Sequence, residues 1–200
     1  MPQIKLVVWD LDNTLWNGTV YYTDRNNVKL KPGTEAALKE ITKRNIKNCI
    51  CSKNYYEDVE KLLDKFDIKK YFDSAEVNWG LKSDNIKKLI KKYDALPEEI
   101  CFVDDDPFQR AEVLSQIPNL KAIELGDPLD ILNLDFMKVE NETEEDKERV
   151  KILKEQRNRE EAEKTHNGNY KDFLINCDIN MIIRPVEEKD WERVVQLFNR

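Results

Sequence analysis

The chain has 200 residues, 40% hydrophobic and 36% charged, with 40 acidic against 33 basic side chains and a net charge of −7. This composition excludes a chain disordered throughout, and the interleaved signs exclude a protein built to grip a nucleic-acid backbone. No stretch approaches the roughly 20 apolar residues of a membrane span, and the opening MPQIKLVVWDLDNT lacks the basic start of a signal peptide, so a cytoplasmic protein without a membrane or nucleic-acid partner is expected.

Residues 4–9 (IKLVVW) give a nearly continuous apolar run followed by the polar DLDNT, the pattern of a buried parallel strand ending at a site. Residues 15–30 carry Trp16, Val20, Tyr21, Tyr22 and Val28 around Gly18 and Asn26-Asn27, which predicts a short hairpin or flap. Pro32-Gly33 punctuates the start of a helix over TEAALKEITKRN, and the strand IKNCICS follows. Asn54, three residues before Glu57, is placed to cap a helix through VEKLLDKF. YFDSAEVNW gives a weaker strand, Ser83 is placed to cap DNIKKLIKKY, and Pro97 precedes the strong strand ICFVD. Asp106-Pro107 reads as a cap and first helical position for PFQRAEVLSQI, and LKAIEL completes the alternation. About five βα units in succession predict an α/β, Rossmann-like, doubly wound parallel sheet over residues 1–138.

From residue 139 to 168 the sequence becomes highly charged and predicts a solvated helical linker, capped by Thr143 with Asp146 and supported by Glu155–Arg159 and Glu160–Lys164 pairs. Val150 and Leu153 leave it a narrow packing stripe. Residues 167–169 (NGN) break it, and residues 169–200 read as the beginning of a second domain, in which Trp191, Val194, Val195 and Phe198 form a helical stripe. The pattern stops unfinished, so a longer natural polypeptide is expected. The cysteines at 49, 51, 101 and 177 read as buried thiols, the CxC pair sharing one strand face.

Chemistry concentrates at two strand ends. Asp10 and Asp12 flank Leu11 directly after the first strand, with Thr14 beyond, and Asp104-Asp105-Asp106 follow another buried strand. In a parallel sheet both loops lie on one edge, where ligands bind. Either acidic cluster alone reads equally as a loop of helix caps. The two together point to one hard cation, Mg²⁺, held by a few carboxylates with phosphate and water completing its shell. Ser52, ending a strand, and Lys82, ahead of a helix, add a hydroxyl and a positive charge on the same edge, as a phosphate requires.

In that order, DLDNT, Ser52, Lys82 and DDD, the chain resembles the haloacid dehalogenase superfamily over residues 3–128. The resemblance implies an enzyme in which Asp10 attacks phosphorus to form an aspartyl-phosphate and Asp12 serves as general acid and base. It also implies Mg²⁺ held by Asp10, the Asp12 backbone carbonyl and Asp104 or Asp105, with Thr14, Ser52 and Lys82 cradling phosphate. The spacings from Asp10 to Ser52 and on to Lys82 leave no room for a large cap, and the site should be open. VVWDLDNTLW, ICSKN, NWGLKSDNI and FVDDDPFQRAEV look like the FkbH-like branch in particular, with Asp106 departing from its more usual asparagine. That branch implies glyceryl transfer from bisphosphoglycerate to an acyl carrier protein with dephosphorylation, and IRPVEEKDWERVVQLFNR resembles its link to an acetyltransferase-like domain. The alternatives are a capless phosphatase of a phosphorylated small molecule or phosphoprotein and a noncatalytic partner-binding module. Cys51, beside Ser52, receives no catalytic role.

Overall fold

All four residues of β1 (Leu6–Trp9) are fully buried because strands flank it on both edges and helices cover both faces. The computed structural model describes residues 3–20, 27–138, 148, 150–156, 158, 184–187 and 191. The chain divides into two compact units, Met1–Arg157 and Asn158–Arg200.

After β1 comes a two-stranded antiparallel ribbon of β2 (Trp16–Asn17) and β3 (Lys29–Leu30), the base of the expected flap, whose tip at 21–26 lies outside the described residues. The remaining elements alternate: α1 (Thr34–Lys43), β4 (Lys47–Ser52), α2 (Tyr56–Lys65), β5 (Ser74–Val77), α3 (Lys82–Tyr93), β6 (Ile100–Val103), α4 (Pro107–Gln116) and β7 (Lys121–Ile123). The main sheet is wholly parallel in the order β5-β4-β1-β6-β7, so the chain moves outward in one direction from β1, returns to the other side through α3, and continues outward. That reversal between β1 and β6 is the switch point of a doubly wound sheet, where strand-end loops part and leave a crevice. Between Ser52 and Lys82 the chain holds only α2, a single 3-10 turn and β5, so no cap is inserted there.

Period-two alternation divides the core. Val7, Trp9, Ile50 and Val103 meet Leu38, Ile41, Val59 and Leu62 of α1 and α2. Leu6, Val8, Cys49, Cys51 and Phe102 meet Ile86 and Leu89 of α3, Val113 of α4 and Ile117 just after it. At roughly 1.5–3 kcal/mol for each fully buried aliphatic or Phe side chain, these two layers supply the main force holding the helices to the sheet. Two short 3-10 segments, Pro128–Asn133 and Asp135–Met137, were not anticipated from periodicity. They bury Leu129, Ile131, Leu132 and Met137 on the α1 side, closing that layer.

Gly33 stands in the left-handed region (φ 82°) at the start of α1, a conformation glycine adopts without penalty. Asp106 accepts from the Phe108 N–H at 2.8 Å and Pro107 opens α4, as expected. Two expected caps differ. Asn54 and Ser83 cap neither α2 nor α3, whose starting positions are occupied by Tyr55 and Leu81 without a side-chain bond; both polar side chains are recruited by distant partners. In the charged segment, Lys151–Gln156 are helical, with Val150 buried in the α1-side cluster and Leu153 packed against it. The Thr143–Asp146 capping box, the Glu155–Arg159 and Glu160–Lys164 pairs, Cys177 and the stripe beyond Trp191 fall wholly or partly outside the described residues.

One buried polar node ties β1, β4 and α1 together. The Trp9 indole donates to Asn48 Oδ1 at 2.9 Å, while Asn48 Nδ2 donates to the Leu38 carbonyl at 3.1 Å and to Thr42 Oγ1 at 3.2 Å. Replacing Asn48 with leucine strands the indole N–H in an apolar layer, where one unsatisfied group costs about 1–3 kcal/mol. Asn48→Leu should therefore lower the unfolding free energy by roughly 2 kcal/mol in urea titration without changing the m-value; an unchanged midpoint would show that the node contributes nothing.

Candidate active site

Asp10 follows β1, Ser52 ends β4, Lys82 opens α3 and Asp104 follows β6, so the carboxyl ends of neighbouring strands deliver these residues to one crevice. The crevice encloses about 220 Å³ and is lined by Asp10, Asp12, Ser52, Lys82, Asp104 and Asp105, among others. Of the residues expected to bind phosphate, Thr14 is set back. It is 2% exposed, and its hydroxyl accepts from the Asp105 N–H at 3.2 Å and lies 3.4 Å from Asp105 Oδ1, so it fixes that acid's loop.

The Lys82 ammonium is the centre of the arrangement. It donates to Asp10 Oδ1 at 2.7 Å and to Asp104 Oδ2 at 2.6 Å, with all three residues buried. Burial alone would lower the lysine's pKa, but the charges of Asp10 and Asp104 and the bonds to them outweigh it and hold Lys82 above the usual lysine range. Burial, then the charge of Asp10, push Asp104 up to about 6 against the opposing pull of Lys82. Asp105 is raised by the same two causes. One ammonium among these acids leaves the crevice short of positive charge.

That shortage has a direct chemical remedy. Asp10, Asp104 and Asp105 each offer a carboxylate oxygen, all within 4.8 Å of one another. An all-oxygen set of this kind suits a hard divalent cation such as Mg²⁺. Asp104 and Asp105 therefore both qualify as ligands from the acidic triplet, while Asp106 is committed to capping α4. The Asp12 carboxylate stands outside this set.

Asp12 is held instead by three donors: the Trp16 indole at 2.8 Å, the Val20 N–H at 3.2 Å and Asn54 Nδ2 at 3.2 Å. Burial raises its pKa, opposed by these bonds and aided by the charge of Asp10. The turn carrying it passes through Asn13 in the left-handed region (φ 55°), a conformation that asparagine tolerates better than most residues. Asn54 Nδ2 also lies 3.2 Å from the Ser52 hydroxyl, so one amide joins the expected acid to the expected phosphate ligand.

Sequence spacing did not identify Trp16 or Asn54 as site residues. Their only local signal is position, two residues after Thr14 and two after Ser52. Arg110 was missed as well: it donates to the Asp104 carbonyl at 2.7 Å and to Glu124 at 3.0 Å, bracing the acidic loop. Cys51 faces away from the site. Its thiol donates weakly to the Lys82 carbonyl at 3.8 Å, and burial pushes its pKa up to about 12. Burial does the same to Cys49 and Cys101.

Comparisons with known proteins find hydrolases and phosphatases among the chains similar to this one. A family profile described as haloacid dehalogenase-like hydrolase matches residues 20–116, a span that includes Ser52, Lys82 and the acidic triplet. Human magnesium-dependent phosphatase 1 is 28% identical over 119 residues, covering 51% of this chain and 68% of its own length. The crystal structure of the N-terminal part of a Bacteroides fragilis protein, containing a phosphatase domain complexed with Mg, aligns with a TM-score of 0.59 at 26% identity; the match covers 68% of this chain and 40% of that one. A haloacid dehalogenase-superfamily hydrolase from Ehrlichia chaffeensis shares the fold with a TM-score of 0.55 at 15% identity, over 66% of this chain and 96% of that chain.

Two measurements check the site. Mg²⁺ at about a hundred times its dissociation constant should stabilise the chain by about 2.7 kcal/mol, a rise in melting temperature of roughly 5–10 °C for a domain of this size. Asp10→Asn should abolish the shift; an undiminished one would place the cation elsewhere. Because alkylation requires thiolate, and the three buried thiols have pKa values near 12, peptides carrying Cys49, Cys51 and Cys101 should stay unlabelled by iodoacetamide at pH 8. They should react once the chain is unfolded, whereas fast labelling of Cys51 in the native protein would place its thiol within reach of the crevice.

Proposed function

We propose that this chain, whose fold is that of the haloacid dehalogenase-like hydrolases, is a Mg²⁺-dependent phosphatase working through a phosphorylated Asp10. The observation carrying the proposal is the convergence of Asp10, Asp104 and Asp105 around Lys82, with Asp12 held separately beside them.

Asp10 is the nucleophile. A carboxylate oxygen attacks phosphorus as the bond to the leaving oxygen breaks, which divides one difficult displacement into two. Asp12 delivers a proton to that leaving oxygen, then removes one from the water that releases phosphate from Asp10. A half-buried carboxyl suits this work because its partial burial favours the protonated form, while the Trp16, Val20 and Asn54 donors fix its orientation. Lys82 and Ser52 hold the phosphoryl oxygens, and the lysine offsets charge that grows during transfer. Asp10, Asp104, Asp105 and the Asp12 carbonyl would hold Mg²⁺, which when bound supplies a Lewis acid and screens the attacking carboxylate from the phosphate it approaches.

The substrate we propose is a phosphorylated small molecule or a phosphate presented by a larger partner, since β4 to α3 holds no inserted lid. Glyceryl transfer from bisphosphoglycerate to an acyl carrier protein is compatible with the same phosphoryl chemistry. In that version the acceptor thiol belongs to the carrier, because Cys51 is sealed in the core with its pKa near 12.

The test is phosphate release from small phosphoesters, acyl phosphates and phosphopeptides, with Mg²⁺ and with chelator. Turnover should require the cation, vanish in Asp10→Asn and fall by about 10²- to 10⁴-fold in Asp12→Asn, the usual contribution of a general acid or base. Undiminished turnover in Asp10→Asn would rule out the covalent route.

A further inference from the structure

Lys82 is the first residue of α3, yet the helix start that positions it has no side-chain cap of its own. Leu81 precedes it with no side-chain cap bond and with 52% of its surface exposed. The first N–H groups of a helix lack partners within it and must find acceptors elsewhere. Here one acceptor arrives from another helix: Glu112 of α4 takes the Ser83 N–H at 3.2 Å through Oε2 and the Ser83 hydroxyl at 2.5 Å through Oε1. Ser83 is fully buried, both oxygens of the carboxylate are engaged by it, and a negative charge at a helix N-terminus is favoured by the helix dipole.

The same helix also grips the other side of the crevice. Arg110, two residues before Glu112, donates to the Asp104 carbonyl, and α4 itself begins directly after the acidic triplet. The short separation between Lys82 Nζ and Asp104 Oδ2, 2.6 Å, thus spans two backbones that α4 ties together. The α3 start is also held by a reciprocal amide pair, Asn78 with Asn85, at 2.9 and 3.1 Å.

We infer that Glu112, which does not touch the phosphate site, is a positioning residue for Lys82: by holding Ser83 through both its N–H and its hydroxyl, it fixes the first turn of α3 and keeps the lysine between Asp10 and Asp104. The inference rests on the reading of Lys82 as the phosphate-facing cation. Glu112 acts only through that lysine, so removing it matters to the reaction only while the lysine is present.

The experiment combines kinetics with an amine footprint. Glu112→Ala should lower kcat by roughly 10²-fold with little change in KM, the scale on which a displacement of about 1 Å weakens a catalytic group. Glu112→Gln, which keeps an acceptor oxygen, should recover most of that loss. In a Lys82→Ala background, adding Glu112→Ala should bring no further loss; losses that multiply would overturn the inference. Independently of turnover, brief acetylation of the metal-free protein, read by mass spectrometry, should find Lys82 protected in the wild type and labelled in Glu112→Ala. Asn48→Leu, destabilised away from the site, should leave Lys82 protected. Equal protection of Lys82 with and without Glu112 would also overturn the inference. Absence of turnover in the wild type would count against the phosphatase reading instead, and the footprint would still decide whether Glu112 holds the lysine.

Discussion

The structure depends on burying one ammonium between two carboxylates at the end of the central strand. Lys82, Asp10 and Asp104 are 3%, 6% and 1% exposed, so little water reaches them. Removing charges from water is expensive, and the expense is offset only when geometry is close and the remaining polar groups are bonded. Both conditions hold: Lys82 lies 2.7 and 2.6 Å from its partners, and Asp104 also accepts from the Asp106 N–H at 2.9 Å. With Asp105 nearby, the acids outnumber the lysine, and burial first, then the charge of Asp10, raise the pKa of Asp104. Three carboxylate oxygens of Asp10, Asp104 and Asp105 lie within 4.8 Å of one another, a donor set that suits a hard divalent cation.

Around this centre lie two supports with different origins. On the flap side, Trp16 and the Val20 N–H hold Asp12, and Asn54 joins it to Ser52 at the end of β4. On the helix side, α4 braces the Asp104 backbone through Arg110 and the start of α3 through Glu112. The first support holds the Asp12 carboxylate apart from the oxygens that Asp10, Asp104 and Asp105 gather, leaving it for proton transfer in the proposed reaction. The second sets the distance between the lysine and the acid loop. Side chains that carry chemistry are thus oriented by others that do not, which is how a site remains precise within a low-dielectric crevice.

The sheet explains why such a cluster can exist there at all. β1 lies at the switch point, flanked by β4 and β6, so the loops after three adjacent parallel strands open toward one another. Two apolar layers, one on each face, make the strands rigid enough to fix the loop origins. The buried Asn48 node adds a directional constraint to an otherwise nondirectional layer, tying the central strand to α1 and β4.

Much of this was legible in the chain. The apolar runs before DLDNT and DDD, the alternation of strand and helix, and the Asp106-Pro107 helix start are local patterns, and local physics produces them: period-two burial, helical spacing and capping chemistry. Those patterns also place Asp10, Ser52, Lys82 and Asp104 at one sheet edge, because every parallel strand ends on the same side. What the chain could not disclose was which polar side chains would meet across it. Asn54 and Ser83 carry good local capping signals, yet Asn54 turns to Asp12, 42 residues away, and Ser83 to Glu112, 29 residues away. Spacing likewise could not show that the Asp12 carboxylate would be drawn away by Trp16 while Asp105 joins Asp10 and Asp104. Hydrogen-bond partners are decided by distance and angle in three dimensions, and only the packing of α3 on α4 and the approach of the Asp12 turn to the loop after β4 bring those donors and acceptors within reach.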